Sequence, residues 1–184
     1  MNTFKYGNKT FTWDYTHDDC QETPWEWADG HGPVSEWTRR DKHPGELVLC
    51  EDRGSKRYYD FKAAMEMAKA DGWNAWPYKV EGETAGQRAY KAVMADYEYL
   101  RQWCNDEWSY VVLHVVLLDD DGDETEYEDY LGGVEYGWYI DQQAKKRGDE
   151  PYHEECLREM AENVLQQWHA DHEWEIRQNL GVAA

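Results

Sequence analysis

The most apolar run of the chain predicts a central, buried strand. Residues 110–118 read Tyr-Val-Val-Leu-His-Val-Val-Leu-Leu, and β-branched and aromatic side chains of this kind favour a pleated, buried surface. Residues 119–123 contain a glycine among four aspartates, which is typical of a tight turn. Residues 125–131 then alternate in polarity, so we predict that they pair with the first strand in an antiparallel hairpin.

Two further hairpins are predicted nearer the N-terminus. Residues 3–6 and 9–15 flank a Gly-Asn pair that suits a two-residue turn. Residues 46–51 and 57–59 flank a second turn that contains glycine and charged residues. Each pair of segments is therefore expected to form two antiparallel strands.

An irregular, Trp-rich segment separates these two hairpins. From residue 17 to 45 the periodicity is lost, and prolines and glycines interrupt the chain. The segment carries Trp25, Trp27 and Trp37. Because large aromatic side chains bury much area, we expect these three indoles to pin the segment to the body of the protein.

Apolar residues at helical spacing predict three helices. The first follows Asp60, a good N-cap residue, and ends at Gly72. The second follows Thr84, which forms a capping-box sequence with Gln87. The expected apolar face of the second helix consists of Tyr90, Val93, Met94, Tyr97, Leu100 and Cys104.

The last predicted helix is broken near Pro151, runs to Gly181 and is amphipathic. Its apolar face consists of Leu157, Met160, Ala161, Val164, Trp168 and His172. Its opposite face is acidic and carries Glu155, Glu159, Glu162 and Glu173. This helix is expected to pack on the rest of the fold through one side and to present carboxylates on the other.

The order of the elements indicates the fold class. Strands, helix, helix, strands and helix in this sequence favour an α+β fold, with an antiparallel sheet and helices packed on one face. We predict a single domain over residues 1–184. It would contain an N-terminal hairpin and Trp-rich arm (1–45), an α+β core (46–135) and an acidic C-terminal helical segment (136–184).

Acidic residues dominate the composition. The chain carries a net charge of −20, and residues 96–135 contain thirteen acidic residues against one base, Arg101. Such charge disfavours direct contact with nucleic acid or an anionic membrane, and it favours a basic partner. Disordered chains are poor in aromatics, whereas this chain has 11 Trp and 14 Tyr, so we expect a folded scaffold. Solubility alone is the competing explanation for the acidity.

Basic residues cluster near the first helix. The cluster consists of Arg39, Arg40, Lys42, Arg53, Lys56, Arg57 and Lys62. These residues either pair with internal carboxylates or form a second contact surface, such as the self-association surface of a homodimer.

The expected location is the cytoplasm. No apolar run approaches the roughly 20 residues of a membrane span, and the first residues lack the apolar core of a signal peptide. The four cysteines are widely and irregularly spaced, so we expect them to be reduced and buried rather than bridged.

The sequence gives little support for a bound metal ion. Pairs with zinc-ligand spacing occur at His17 and Cys20, at His153 and Cys156, and at His169 and His172. Satisfied histidines and buried thiols explain most of these residues. The acidic turn does not match a calcium loop, because Gly122 stands at its fourth position rather than its sixth. We therefore expect no bound metal and no cofactor.

A thiol nucleophile is equally unsupported. Cys104 and His114 would be the nucleophile and the base. However, Cys104 belongs to the apolar register of a helix and His114 to a strand predicted to be buried. The acidic surroundings also disfavour a thiolate. We expect no catalytic residue.

Two blocks of sequence resemble a known group of proteins. They are residues 29–40, continuing through 44–49 and 52–60, and residues 103–110 running into the Val-rich strand. Together these blocks resemble an uncharacterised family of small acidic proteins encoded by tailed bacteriophages. The resemblance implies a phage origin and action on host machinery, and it supplies no catalytic residues.

The spacing of the carboxylates predicts a DNA-like acidic surface. Carboxylates at alternate positions of a strand lie about 6.8 Å apart, and those four apart on a helix about 6 Å apart. Both distances are close to the spacing of successive phosphates in DNA. The predicted partner-binding residues are Asp119, Asp120, Asp121, Asp123, Glu124, Glu126, Glu128, Glu155, Glu159 and Glu162.

These observations together predict a non-catalytic inhibitor from a phage. It would occupy the basic groove of a host nucleic-acid-handling defence complex, of nuclease, CRISPR or restriction type. Two alternatives stay open. One is a non-inhibitory interaction module or virion-associated protein, and the other is a metal-dependent enzyme that uses the His and Cys pairs.

Overall fold

The computed structural model describes residues 2–52, 54–77 and 80–179, with side chains described as far as residue 173. Gly181, the predicted end of the last helix, lies outside the described residues. Across these ranges, none of the helices has both the length and the apolar character that a membrane crossing requires.

The secondary structure consists of seven strands and five helices within the described residues. In chain order these elements are β1 (Asn2–Tyr6), β2 (Lys9–His17), α1 (Pro24–Trp27), β3 (Val34–Trp37), β4 (Glu46–Asp52), β5 (Ser55–Asp60), α2 (Phe61–Asp71), α3 (Ala85–Cys104), β6 (Ser109–Leu118), β7 (Glu124–Tyr136), α4 (Trp138–Arg147) and α5 (Tyr152–Asn179). The predicted hairpins are all present. The break predicted near Pro151 separates two distinct helices, α4 and α5.

The chain divides into two compact units whose segments are interleaved in the sequence. Unit 1 takes its described residues from Met1–Asp19, Tyr110–Tyr136 and Asp149–Ala184, and unit 2 from Cys20–Ser109 and Gly137–Gly148. Both units combine antiparallel strands with helices, so the fold is α+β, as predicted. The three consecutive segments predicted within one domain do not coincide with the units, because strand pairing joins the N-terminal hairpin to β6. The single domain itself stays a prediction.

Unit 1 is a four-stranded antiparallel sheet covered on one face by α5. The strand order is β1-β2-β6-β7, and β2 pairs with β6 so that Phe11 lies opposite Leu117 and Asp14 opposite His114. The core between sheet and helix consists of Phe11, Val111, Leu113, Val115, Leu117, Val134, Cys156, Leu157, Met160, Ala161 and Val164. The apolar face predicted for the last helix is therefore confirmed, and Trp168 packs at its margin.

Unit 2 contains a second, three-stranded antiparallel sheet in the order β3-β5-β4. Its core consists of Leu49, Tyr59, Ala64, Ala68, Ala89, Val93 and Leu100. The predicted caps are present: the Asp60 carboxylate accepts the Ala63 N–H at 2.9 Å, and Thr84 and Gln87 form a capping box. Tyr90, predicted to lie on the apolar face of α3, is 53% exposed. Its ring packs nearly perpendicular to that of Phe61 at a centroid distance of 5.9 Å, so the contact with the core is partial.

The Trp-rich segment is not held by three indoles. Trp25 packs against Trp103 at a centroid distance of 5.4 Å, but Trp27 and Trp37 are 57% and 45% exposed. The prediction was therefore wrong for these two residues. Trp37 lies on the edge strand β3 and Trp27 on a helix of four residues, so the large area of an indole alone overestimated their burial.

A polar cluster around Asp96 fixes the segment instead. The Asp96 carboxylate accepts the Gly32 N–H at 2.8 Å and the Tyr59 hydroxyl at 2.7 Å. The His31 Nδ1 atom lies 2.5 Å from the other carboxylate oxygen, and its ring stacks on Tyr99. Burial raises the pKa of Tyr59 far above its ordinary value, so the hydroxyl keeps its proton and donates to Asp96. The cluster joins the irregular segment to α3.

Gly32 is required by this cluster for steric reasons. A Cβ atom at residue 32 would lie 2.4 Å from the Tyr59 Oη atom and 2.7 Å from the Ala64 Cβ atom. We predict that Gly32→Ala lowers the free energy of unfolding by about 1–3 kcal/mol, because a well-packed core resists added volume. Urea unfolding measures this change.

The matched control is Gly86→Ala in the first turn of α3. A Cβ atom there meets none of the described heavy atoms within 4 Å, so the change should be neutral or should stabilise by about 0.4–1 kcal/mol. Equal unfolding midpoints for the two variants would contradict the steric role of Gly32.

Candidate functional site

The acidity of the chain is concentrated in unit 1. The segments that form unit 1 contain 21 acidic and 4 basic residues, a net charge of −17, whereas those of unit 2 contain 18 and 15, a net charge of −3. In unit 2, three residues of the basic cluster pair with carboxylates: Arg40 with Glu46, Lys56 with Asp41 and Arg57 with Glu36. The excess of negative charge therefore belongs to one small α+β unit.

Seven of the ten predicted binding carboxylates lie on the β6–β7 hairpin. The turn between the strands is built on Asp119, whose Oδ1 atom accepts the N–H groups of Asp121 and Asp123, both at 2.9 Å. The Asp119 N–H in turn donates to the Asp123 carbonyl at 2.9 Å. Asp119 therefore organises the turn, while Asp120, Asp121 and Asp123 project as exposed charges.

The glutamates of β7 form a row on the outer face of the sheet. Glu124, Glu126 and Glu128 are exposed and alternate with half-buried residues along the strand. The alternate set faces α5, as the hydrogen bond from Asn163 to Asp129 at 3.2 Å shows. Because successive side chains of a strand point to opposite faces, the three glutamates point away from the helix, as a single row.

The three helical carboxylates do not join this row. Glu155, Glu159 and Glu162 are exposed on α5, and the Tyr6 hydroxyl of β1 donates to Glu162 at 3.5 Å. Since α5 covers the opposite face of the sheet, the two sets of glutamates lie on opposite sides of unit 1. The ten predicted residues therefore form two separate acidic surfaces rather than one.

A histidine and a tyrosine extend the glutamate row across the sheet. His114 lies on the outer face of β6, where its Nε2 atom is 2.8 Å from Glu128 and its Nδ1 atom is 3.4 Å from Asp14. Tyr130 stacks on the His114 ring at a centroid distance of 4.2 Å and is 57% exposed. The hydrogen bond to His114 lowers the pKa of Glu128 below its ordinary value, so this carboxylate stays ionised in mildly acidic solution.

Sequence reasoning missed three residues of this surface. His114 was expected in the core because its strand is apolar throughout, yet it belongs to the alternate set that faces outward. Tyr130 shares the spacing of Glu124, Glu126 and Glu128, and that spacing was available as a signal. Asp14 is brought to the site by the pairing of β2 with β6, which no local pattern reveals.

The residues considered for metal binding or catalysis have structural partners. Buried His153 contacts the rings of Trp13 and Tyr136, and its neighbour in the predicted pair, Cys156, belongs to the core of unit 1. His172 stacks on Trp168. Among the residues that the structure describes, no group of three or more His, Cys, Asp or Glu side chains is placed to hold a metal ion.

Cys104 has the properties of a core thiol. Burial raises its pKa to about 12, and Cys50 and Arg57 are its polar neighbours. A thiol with such a pKa is protonated at neutral pH and is a poor nucleophile. Cys104 therefore lacks the thiolate character of a catalytic nucleophile.

Comparisons with known proteins give no match from which a function could be inferred, so the interpretation depends on the site alone. No family model matches the chain, and no curated protein or solved structure matches it either. The resemblance to phage-encoded proteins therefore stays a prediction.

The turn geometry predicts unequal roles for neighbouring aspartates. Asp119→Ala removes the acceptor of two backbone N–H groups and should lower the free energy of unfolding by about 1–2 kcal/mol. Asp120→Ala removes the same charge from an exposed side chain and should stay within about 0.5 kcal/mol of the parent. Urea unfolding of the pair provides the measurement. Equal losses would show that Asp119 acts through charge and not through the turn.

Proposed function

We propose that this chain is a non-catalytic binding protein that blocks a host nucleic-acid-handling defence complex by occupying its basic groove. The observation that carries the proposal is the row of Glu124, Glu126 and Glu128 on the exposed face of β7. Carboxylates at this strand spacing lie about 6.8 Å apart, close to the spacing of successive phosphates on a DNA strand. A basic groove that binds the phosphates of DNA can therefore bind several of these glutamates at once.

The row is held in a fixed position, which distinguishes it from a solvated acidic tail. At one end, Asp119 closes the turn through two backbone hydrogen bonds. At the other, the buried carboxylate of Asp18 accepts the Gly133 N–H at 2.8 Å. Between these points β7 adjoins β6, whose other neighbour is β2 and whose inner face is core. A rigid charge pattern loses little conformational entropy on binding.

The surface also contains an element suited to affinity. Exposed charges mainly accelerate and orient association, whereas aromatic residues dominate binding energy at interfaces. Tyr130 continues the glutamate row and exposes more than half of its surface while its ring rests on His114. We assign Tyr130 as the aromatic anchor of the acidic surface.

The hairpin surface is preferred over the helical one. It combines seven carboxylates with Tyr130, while α5 offers Glu155, Glu159 and Glu162 on the other side of unit 1. A single straight groove on the partner would contact only one side of unit 1, because the unit is small. The helical carboxylates then serve solubility.

Two matched triple variants test the assignment. Glu124, Glu126 and Glu128 are changed to Gln in one, and Glu155, Glu159 and Glu162 in the other, so both lose three charges. The partner is captured from bacterial lysate at low salt, and its affinity for each variant is measured over a range of salt concentrations. We predict at least about a tenfold loss and a shallower salt dependence for the hairpin variant, and a change within about twofold for the helical variant.

The function requires more than capture. The captured partner should bind nucleic acid, and the parent chain should inhibit its cleavage or binding of DNA while the hairpin variant does not. Retained inhibition by the hairpin variant at low salt, with unchanged thermal unfolding, would overturn the proposal. Loss in the helical variant alone would assign the function to α5.

A further inference from the structure

Strand β7 forms one margin of the sheet in unit 1. In the part of the chain that the structure describes, it has a strand neighbour on one side, β6, and none on the other. Among the described strands it is also the longest, at 13 residues. The outer edge of such a strand carries backbone N–H and C=O groups in the arrangement that accepts another strand.

An open groove lies beside this edge, on the side of α5. It has a volume of about 420 Å³ and is lined by Asp129 of β7 and by Asn163, Gln166, Gln167 and Ala170 of α5. Its lining is rich in carboxamides, which both donate and accept hydrogen bonds. A strand added to β7 would place every second side chain over this groove and the other side chains beside the glutamate row.

Charge decides what kind of strand can be added. A second copy of β7 paired antiparallel would set glutamates against glutamates, and like charges directly opposite destabilise a strand pair. An extended segment with Lys or Arg at alternate positions would instead lie beside Glu124, Glu126 and Glu128. The edge therefore disfavours its own copy in that register and favours a basic occupant.

We propose that the outer edge of β7 and its adjoining groove bind an extended basic segment of the partner protein as a fifth strand of the sheet. This proposal rests on the proposed function and names the part of the partner that is held. The backbone of β7 supplies hydrogen bonds, the glutamate row selects alternate basic side chains, and the groove receives the polar side chains between them.

Synthetic peptides that alternate Lys and Thr over about nine residues test this mode of binding. Two further peptides carry N-methyl groups, one on the Lys amides and one on the Thr amides. Because alternate N–H groups of a strand point to opposite sides, one methylated peptide loses the bonds to β7 and the other keeps them. Calorimetry measures the affinity of each, and hydrogen exchange measures the protection of the β7 amides.

We expect one methylated peptide to bind roughly a hundredfold more weakly than the parent peptide, and the other to remain within about threefold. The parent peptide should slow exchange in β7 and should bind the variant with Gln at 155, 159 and 162 as it binds the parent protein. Equal affinities of all three peptides would overturn strand addition and leave the charge-based function standing. If none of the peptides binds, strand addition is also overturned. The proposed function is tested separately, by capture of the partner from lysate with the two triple variants.

Discussion

The packing of β6 determines where the charge of this protein can lie. Its inner side chains, Val111, Leu113, Val115 and Leu117, form a core with α5, so the register of the hairpin is set by burial. A shift of one residue would turn the whole apolar set toward water. Because β7 follows through a tight turn, its glutamates are forced onto the outer face. The acidic row is thus a consequence of hydrophobic burial on the other side.

The concentration of negative charge in unit 1 affects both the stability of the unit and its association with other chains. Repulsion among carboxylates opposes compaction, and the core beneath α5 has to offset it. The same repulsion discourages pairing between copies of an exposed edge strand, which is a known hazard of open sheets. Under the proposed function, the same residues would also favour a partner of opposite charge at this edge.

Local signals in the sequence predicted much of the fold, and long-range pairing accounts for most of what they missed. Asp60, Thr84 with Gln87, and the Gly-Asn turn mark element ends through contacts within a few residues. The α+β class followed from the element order. By contrast, the meeting of Asp14 with His114 depends on strand order. The separation of the two glutamate sets depends likewise on which sheet face α5 covers.

If the proposed function is right, the acidic hairpin occupies a groove that otherwise binds nucleic acid. The most direct measurement is a competition between duplex DNA and this chain for the captured partner, followed as the DNA concentration is raised. We predict mutual exclusion: the apparent affinity for the chain should fall as the DNA concentration rises, and the hairpin glutamine variant should not compete at equal concentration. Simultaneous binding of DNA and the chain, with neither affinity changed, would contradict it.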